Sequence, residues 1–327
     1  MGGTARVLIL SRSDHAEALA VRRHLPDGRV VFVDDDGLRR GLRLTWDLTD
    51  PGDPWLAWGD TRFPVRDVGG VLYRPGMRRA PDGRIVETLL RAPEALGARY
   101  AEFARAEAEA PLVGSLLAGP ARWFNSPVAE AAADHKMRQL ALAHTAGLTV
   151  PPTLVSSDAE ELAGFWERQD GRVVVKAVAA RPALTLGTPL PTRRVRRADL
   201  AALRAGVPVA TLFQRLVPAA LDLRVTMVGG RTFGTAIHSQ EGSSPLDWRL
   251  DQTVRFTPYE LPPEVESGLH TLRERLGLRY GAADLRLTPE GEYVFLEINP
   301  QGSFLFVEQL TGAPVSQALA RALCGGD

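Results

Sequence analysis

The first 110 residues alternate between strand-like and helix-like runs of apolar positions. A strand is predicted for ARVLIL at 5–10, a helix for the HAEALAVRRHL that follows, and a second strand for VVFVDD. A β-α-β opening of this kind is typical of a small α/β domain. Another short strand is predicted for GGVLYRPG, and helical periodicity extends over 85–110.

Helix signals are clearest in the middle of the chain. A helix is predicted over 126–147, with Ser126 as N-cap, Pro127 at the first helical position and Gly147 as C-cap. The other predicted helices cover 158–169, 263–277 and 314–323. GRVVVKAV predicts a buried strand between two of these helices.

Two hairpins are predicted in the C-terminal third. LDLRVTMVGGRTFGTAIHS gives two strands joined at Gly229 and Gly230. YGAADLRLTPEGEYVFLEIN gives two more, which turn through residues 288–291.

Composition narrows the class of protein. A hydrophobic fraction of 45% with 24% charged residues is that of an ordinary soluble globular protein. No run of about 18 apolar residues occurs, so no membrane span is expected. The zero net charge offers no electrostatic case for nucleic acid or an anionic membrane. The single cysteine, Cys324, fits a reducing cytoplasm, and MGGTARVLIL is expected to be a first strand rather than a signal peptide.

Lysine is rare in this chain. Of 39 lysine and arginine residues, only Lys136 and Lys176 are lysines. A site that prefers a compact point charge to a planar guanidinium would retain lysine, although two residual lysines could also arise by chance.

The second hairpin carries polar side chains on faces that should be buried. Asp284 and Arg286 share one face of their strand, and Glu297 and Asn299 share a face of the next. Pairing across a four-residue turn would bring Asp284 close to Glu297. Two carboxylates and an amide oxygen are hard donors that suit Mg²⁺. Acids at a sheet rim are the simpler alternative, but the apolar FLEI context makes an unpaired carboxylate costly.

Four more charged residues fit the same picture. Lys176 ends the apolar strand VVVK, and Lys136 lies on the helix after WFNSP, so both could neutralise nucleotide phosphates. Asp222 and Arg224 point together from one strand face. Arg224 and Arg286 are candidates to stabilise charge on a transferring phosphoryl group.

In this order, these residues resemble the ATP-grasp superfamily of carboxylate–amine ligases. The resemblance is closest to the graspetide (microviridin-type) peptide maturases, which are RimK-like. The motifs that carry it are Trp123, Asn125 and Pro127 in a W-x-N-x-P pattern, 147–154, DWR at 247–249, FLEINPQG and LYRP at 72–75. The resemblance implies the fold class α/β with α+β lobes: a small N-terminal pre-ATP-grasp domain at 1–118, a central lobe at 119–210 and a C-terminal lobe at 211–327.

The resemblance also implies roles for individual residues. Lys136 and Lys176 would bind ATP phosphates, and Gln214 to Val217 would form the hinge that meets adenine. Asp222 is grouped with these nucleotide-binding residues. The remaining roles are Mg²⁺ binding by Asp284, Glu297 and Asn299, charge stabilisation by Arg224 and Arg286, and substrate contact by Trp248 and Arg249.

The function implied is ATP-dependent macrocyclisation of a ribosomal precursor peptide, with leader and core, through side-chain esters or amides. A RimK-like ligase that adds an amino acid, and an ATP-binding regulatory protein without turnover, remain alternatives. Relatives suggest a homodimer. Two departures stand out: little glycine follows Lys176, and Ser303-Phe304 replaces the usual Gln-aromatic pair.

Overall fold

The structure, a computed structural model, describes residues 5–34, 41–49, 52–74, 97–178, 191–204 and 209–326, without side chains for 97–105. It divides into two compact units, Met1–Pro127 with Ser316–Asp327, and Val128–Val315. The C-terminal residues therefore group with the N-terminal unit, a return of the chain that the predicted division into 1–118, 119–210 and 211–327 did not include.

The first unit is built on a parallel sheet. Its four strands are β1 (Arg6–Ser11), β2 (Val30–Val33), β6 (Val68–Arg74) and β7 (Arg122–Phe124), in the order β2-β1-β6-β7. The predicted β-α-β opening is confirmed, because helix α1 (Ala16–Arg22) connects β1 to β2. Strand β1 is apolar throughout VLIL because those residues are buried, as both faces of a parallel sheet usually are.

A smaller antiparallel sheet and two helices complete this unit. The sheet contains β3 (Leu42–Thr45), β4 (Trp55–Trp58) and β5 (Thr61–Pro64), and the helices are α2 (Gly97–Ala118) and α9 (Val315–Leu323). Gly70 on β6 lies so close to α9 that a Cβ there would be 2.4 Å from the Leu323 carbonyl oxygen. Only glycine fits at this contact.

The second unit contains two antiparallel sheets. One has the order β10-β9-β11-β8, with β8 (Thr153–Ser156), β9 (Val173–Lys176), β10 (Arg193–Arg194) and β11 (Thr211–Arg215). The other has the order β14-β13-β12-β15-β16, with β12 (Leu221–Val228), β13 (Arg231–Ile237), β14 (Phe256–Tyr259), β15 (Tyr280–Leu287) and β16 (Tyr293–Asn299). Its helices are α3 (Pro127–Ala133), α4 (Lys136–Thr145), α5 (Ala159–Arg168), α6 (Arg197–Arg204), α7 (Pro263–Arg275) and α8 (Leu305–Thr311).

Both predicted hairpins are confirmed. Strands β12 and β13 pair around Gly229, whose φ of +55° favours glycine. Strands β15 and β16 pair around a turn in which the Gly291 N–H donates to the Thr288 carbonyl at 3.0 Å. The helices predicted around 263–277 and at 314–323 are also present, as α7 and α9.

The single helix predicted over 126–147 is wrong. The chain forms two helices, α3 and α4, separated at Asp134 and His135, where His135 has an extended conformation (φ −82°, ψ 100°). A buried side chain, Gln139, donates to the Ala133 carbonyl at 2.7 Å and so satisfies a backbone group at the break. Sequence periodicity alone does not detect such a local compensation.

Some predictions fall on residues that are not described. They are residues 85–96 of the helix predicted over 85–110, most of the low-glycine segment after Lys176, and Pro75 of LYRP. Within the described ranges, none of the helices combines the length and the hydrophobicity that crossing a membrane requires.

Candidate active site

Strands β15 and β16 bring the predicted metal ligands together. Asp284 is paired directly with Glu297, and Asn299 is paired with Ala282 two residues farther along. A register shift at Leu296 lengthens β16 by one residue relative to its partner. The Asn299 amide lies 3.5 Å from Oδ2 of Asp284. Two carboxylates and one amide therefore converge on one part of the sheet.

This donor set fits a magnesium ion. All three ligands would be hard oxygen donors, and phosphate oxygens and water would complete an octahedral shell. The described residues contain no metal-competent group of three or more His, Cys, Asp or Glu side chains. The site thus offers only two carboxylates, an arrangement typical of Mg²⁺ sites that also use substrate phosphates.

The two carboxylates have opposite electrostatic surroundings. Burial raises the pKa of Asp284 to about 6, and the nearby Glu297 adds to this effect while Arg224 opposes it. Burial also acts to raise the pKa of Glu297, but Lys136 and Lys176 outweigh it and hold that pKa below its ordinary value. A cation bound between the carboxylates would relieve their mutual repulsion.

Both lysines reach this site. Lys136, the first residue of α4, places Nζ 3.2 Å from Oε2 of Glu297. Lys176, the last residue of β9, donates to Oε1 of Gln214 at 2.8 Å. Burial lowers the pKa of Lys176 to about 8, an effect that Glu297 opposes and Lys136 reinforces. The two compact cations therefore lie beside the candidate metal ligands.

Arg224 holds Asp284 from the neighbouring strand β12. Its Nη1 is 2.9 Å from both carboxylate oxygens, and the two side chains are almost fully buried. The guanidinium carbon lies 5.8 Å from the ring centroid of Trp248 and 5.9 Å from that of Phe306. Arg224 therefore connects the candidate metal site to an aromatic surface.

Asp222 and Arg286 form a second buried pair, two residues away on the same strands. Nε of Arg286 donates to Asp222 at 2.8 Å, and the Ser239 hydroxyl donates to the other Asp222 oxygen at 2.6 Å. The remaining Arg286 nitrogens bind the carbonyls of Val217, Pro245 and Leu246 at 2.9–3.1 Å. Arg286 thereby links Val217 of the predicted hinge to residues 245–246, which precede the DWR element, through hydrogen bonds.

The predicted substrate residues belong to that loop. Asp247 accepts two hydrogen bonds from the Arg249 guanidinium, both at 2.7 Å, and one from the Thr192 backbone N–H at 3.2 Å. Burial raises the pKa of Asp247, but Arg249 more than offsets this effect and lowers it overall. Trp248 packs against Phe256 and Phe306, with ring centroids 6.3 Å and 5.6 Å away.

Nine of the twelve predicted site residues line one cleft in the second unit. Its lining includes Lys176, Gln214, Val217, Asp222, Trp248 and Arg249. Asp284, Arg286 and Glu297 also line it. Lys136, Arg224 and Asn299 do not line the cleft, but they contact Glu297 or Asp284, which do.

Sequence reasoning missed several neighbours of the cleft. Phe256 and Phe306 complete the aromatic surface around Trp248, whereas Phe304 is fully buried against Tyr280. The two phenylalanines in SFLF, at positions 304 and 306, were the available sequence signal for Phe306. Gln139 was missed as well, although it lies three residues after Lys136 and hence on the same helix face.

His238 directly follows strand β13. The structure places its ring among Arg255, Glu241 and Thr257, at 2.9, 3.4 and 3.3 Å. These local contacts are those of a structural histidine.

Comparison with known proteins gives matches among solved structures alone. No family model matches the chain, and no curated protein does. Macrocyclase MdnC of Microcystis aeruginosa MRC, bound with its precursor peptide MdnA, is 28% identical with a TM-score of 0.77, over 97% of this chain and 99% of that chain. A RiPP-associated ATP-grasp ligase of Chryseobacterium gregarium, in complex with ADP and a leader and core peptide, is 25% identical with a TM-score of 0.78, over 98% and 96%.

A third similar structure is the ATP-grasp ligase PsnB complexed with minimal precursor, Mg and ADP. It is 21% identical with a TM-score of 0.73, over 97% of this chain and 96% of that chain, a similarity of fold. The predicted ATP-grasp fold is therefore confirmed, with mixed α/β architecture and antiparallel lobes. In both fold and sequence, the chain is thus similar to a macrocyclase and to a RiPP-associated ATP-grasp ligase that were solved with their peptides.

Proposed function

We propose that this chain is an ATP-dependent ligase that macrocyclises a ribosomal precursor peptide. It activates Asp or Glu side chains of the peptide and joins them to Ser or Thr hydroxyls or to Lys amines. The similar structures with bound precursor peptides support a peptide as the partner, with a leader and a core.

One observation carries the proposal: the only two lysines of the chain converge on the Asp284, Glu297 and Asn299 cluster. Buried lysines and paired carboxylates are costly in a protein interior. A phosphate-rich ligand with a divalent cation would offset both costs, because each charge then has a counter-charge. MgATP is such a ligand, and the ADP in a similar ligase is consistent with it.

The nucleotide-binding roles follow from position. Lys136 and Lys176 would contact the phosphates, and residues Gln214 to Val217 would meet adenine. Asp284, Glu297 and Asn299 would hold Mg²⁺, which supplies charge neutralisation at the phosphate oxygens. The Gln214 side chain holds Lys176 from one side and the Thr153 hydroxyl from the other, so we assign it the positioning of that lysine.

The two arginines receive different roles. Arg224 borders Asp284 and the aromatic surface, so it would stabilise negative charge on the activated carboxyl group. Arg286 and Asp222, first considered for catalysis and nucleotide binding, use their polar atoms within the protein. We therefore assign them the positioning of the hinge and of the loop that carries Trp248 and Arg249.

The chemistry requires two displacements. A carboxylate oxygen of the peptide attacks the γ-phosphorus of ATP, and ADP leaves. The resulting acyl phosphate is a good electrophile, unlike the carboxylate. A hydroxyl or amine of the same peptide then attacks the acyl carbon and loses its proton as inorganic phosphate leaves. Each linkage consumes one ATP and removes the elements of one water.

The test combines the purified chain, ATP, Mg²⁺ and a short Ser/Thr- and Asp/Glu-rich peptide encoded beside its gene. We expect peptide-dependent ADP release and a product lighter by one water per linkage in mass spectrometry. Mild base distinguishes esters, which it cleaves, from amides. An increase in peptide mass by that of one amino-acid residue would instead indicate RimK-like addition. Absence of ADP release would reject the enzyme and leave the regulatory alternative.

Two further expectations are part of the proposal. A homodimer should give twice the 35.5 kDa chain mass in light scattering after size exclusion. A cytoplasmic location would be tested by fractionation of the cells that produce the protein.

A further inference from the structure

Gln139 binds the backbone between two of the candidate metal ligands. Its Nε2 donates to the Ile298 carbonyl at 2.8 Å, and its Oε1 accepts from the Ile298 N–H at 3.0 Å. The side chain is 3% exposed, and Ile298 is 1% exposed. A carboxamide is complementary to both backbone groups of a residue at a strand edge, since it carries a donor and an acceptor side by side.

Ile298 lies in the part of β16 that carries two candidate metal ligands. It separates Glu297 from Asn299, and β16 is the edge strand of its sheet. The strand has a register shift just before Glu297, so its pairing with β15 does not hold this part as a regular ladder would. The Gln139 carboxamide supplies hydrogen bonds on the outer edge, directly after the irregular step.

The same helix pair makes polar contacts on both sides of Ile298, to Glu297 and to Gln301. Lys136, one turn before Gln139 on α4, contacts Glu297. Glu130 on α3 accepts a hydrogen bond from Gln301. The third hydrogen bond of Gln139, to Ala133, also fixes the break between α3 and α4 that allows α4 to begin at Lys136. The Gln139 side chain therefore hydrogen-bonds both to β16 and to the break at which helix α4 begins.

We propose that Gln139 is a positioning residue for the metal site, acting through the backbone of Ile298 on the orientation of Glu297 and Asn299. This inference rests on the proposed function, because it assumes that those ligands bind Mg²⁺. A merely space-filling role would be served equally by an apolar side chain of the same length, such as methionine. The donor and acceptor of the carboxamide are what orient the strand.

Mn²⁺ binding provides a test that does not depend on turnover. The dissociation constant of Mn²⁺ in the presence of ADP is measured by electron paramagnetic resonance for the wild-type chain and for Gln139→Met. We expect the constant to rise about tenfold in Gln139→Met, since partners that orient metal ligands affect affinity on this scale. Steady-state assays should show a matching rise in the Mg²⁺ concentration needed for half-maximal rate.

Leu140→Ala is the matched control. Leu140 follows Gln139 on α4 and is buried in the core cluster that also contains Ile298. Leu140→Ala should therefore destabilise the unit, but it removes no hydrogen bond to the Ile298 backbone. Its Mn²⁺ affinity should equal that of wild type. Equal affinities in wild type and Gln139→Met, or equal losses in Gln139→Met and Leu140→Ala, would overturn the inference.

A second variant covers the case in which Gln139→Met does not fold. Gln139→Glu keeps the acceptor for the Ile298 N–H but sets an oxygen against the Ile298 carbonyl, so it should also weaken Mn²⁺ binding, and unchanged affinity would reject the proposal. Failure of the proposed function has a different signature: the wild-type chain itself would show no ADP-dependent Mn²⁺ binding.

Discussion

Two Asp–Arg pairs lie side by side on β12 and β15, in opposite orientation and with different surroundings. Asp222 faces Arg286, and Arg224 faces Asp284 two residues farther along. In the Asp222–Arg286 pair, the remaining hydrogen-bonding groups are satisfied by the Ser239 hydroxyl and three backbone carbonyls. In the Arg224–Asp284 pair, the Arg224 Nε has no hydrogen-bond partner among the described residues, and burial raises the Asp284 pKa to about 6.

This difference supports a structural role for Asp222–Arg286 and, in the proposed function, a functional role for Arg224–Asp284. A buried ion pair stabilises a fold only when its remaining donors and acceptors are satisfied. Asp222 and Arg286 meet that condition within the protein. Arg224 and Asp284 do not, and their surroundings suit ligands that bring additional charge. Identical residue types on adjacent positions thus reach different roles through their neighbours.

The largest expected effect is on the structural pair. Arg286→Met should lower the free energy of unfolding by about 3–5 kcal/mol, because it leaves the buried Asp222 charge unpaired. Urea denaturation followed by circular dichroism measures this change. The double variant Asp222→Leu/Arg286→Met should recover most of the loss. A stability equal to wild type in Arg286→Met would remove the distinction between the two pairs.

The next effect concerns the functional pair. Asp284→Asn should reduce peptide-dependent ADP release by about 10²–10³-fold, because it removes a carboxylate from the proposed metal site. The melting temperature should fall less than in Asp222→Asn, because relief of the repulsion between Asp284 and Glu297 partly offsets the loss of the Arg224 ion pair. Asp222→Asn is the control and should show the reverse, with lower stability and a smaller change in rate per folded molecule.

A smaller effect is expected for the lysine that Gln214 holds. Lys176→Met should raise the KM for ATP about tenfold, the loss expected for one charge-assisted hydrogen bond to phosphate. The KM for the peptide should change much less. Equal increases in both constants would place Lys176 outside the nucleotide site.

The smallest effect is expected on the aromatic side of Arg224. Phe306→Leu should raise the KM for the peptide a few-fold, since loss of a cation–π contact costs about 0.5–1 kcal/mol. The KM for ATP should be unchanged. Phe304→Leu is a matched control of the same type in the core, and it should reduce thermal stability rather than peptide affinity.

The local periodicity of the sequence was enough to predict both hairpins and the shared faces of their polar residues. Side chains alternate along a strand, so Glu297 and Asn299 had to share a face wherever that strand lay. The turn residues at 229–230 and 288–291 then determined the partners of each strand and placed Asp284 close to Glu297. The direct pairing of these two residues depends on the register shift at Leu296, which the turn does not predict.

The order of the motifs determined the fold family, because their spacing is specific even though each one is short. What only the tertiary structure decided is which polar groups are satisfied. Gln139 hydrogen-bonds to Ile298, which is 159 positions away in the sequence, and Arg286 hydrogen-bonds to Val217, which is 69 positions away. Helix periodicity also failed at Asp134 and His135, where the Gln139 amide compensates the break. The free energy of a buried polar group depends on such distant partners, whereas sequence patterns report only neighbours along the chain.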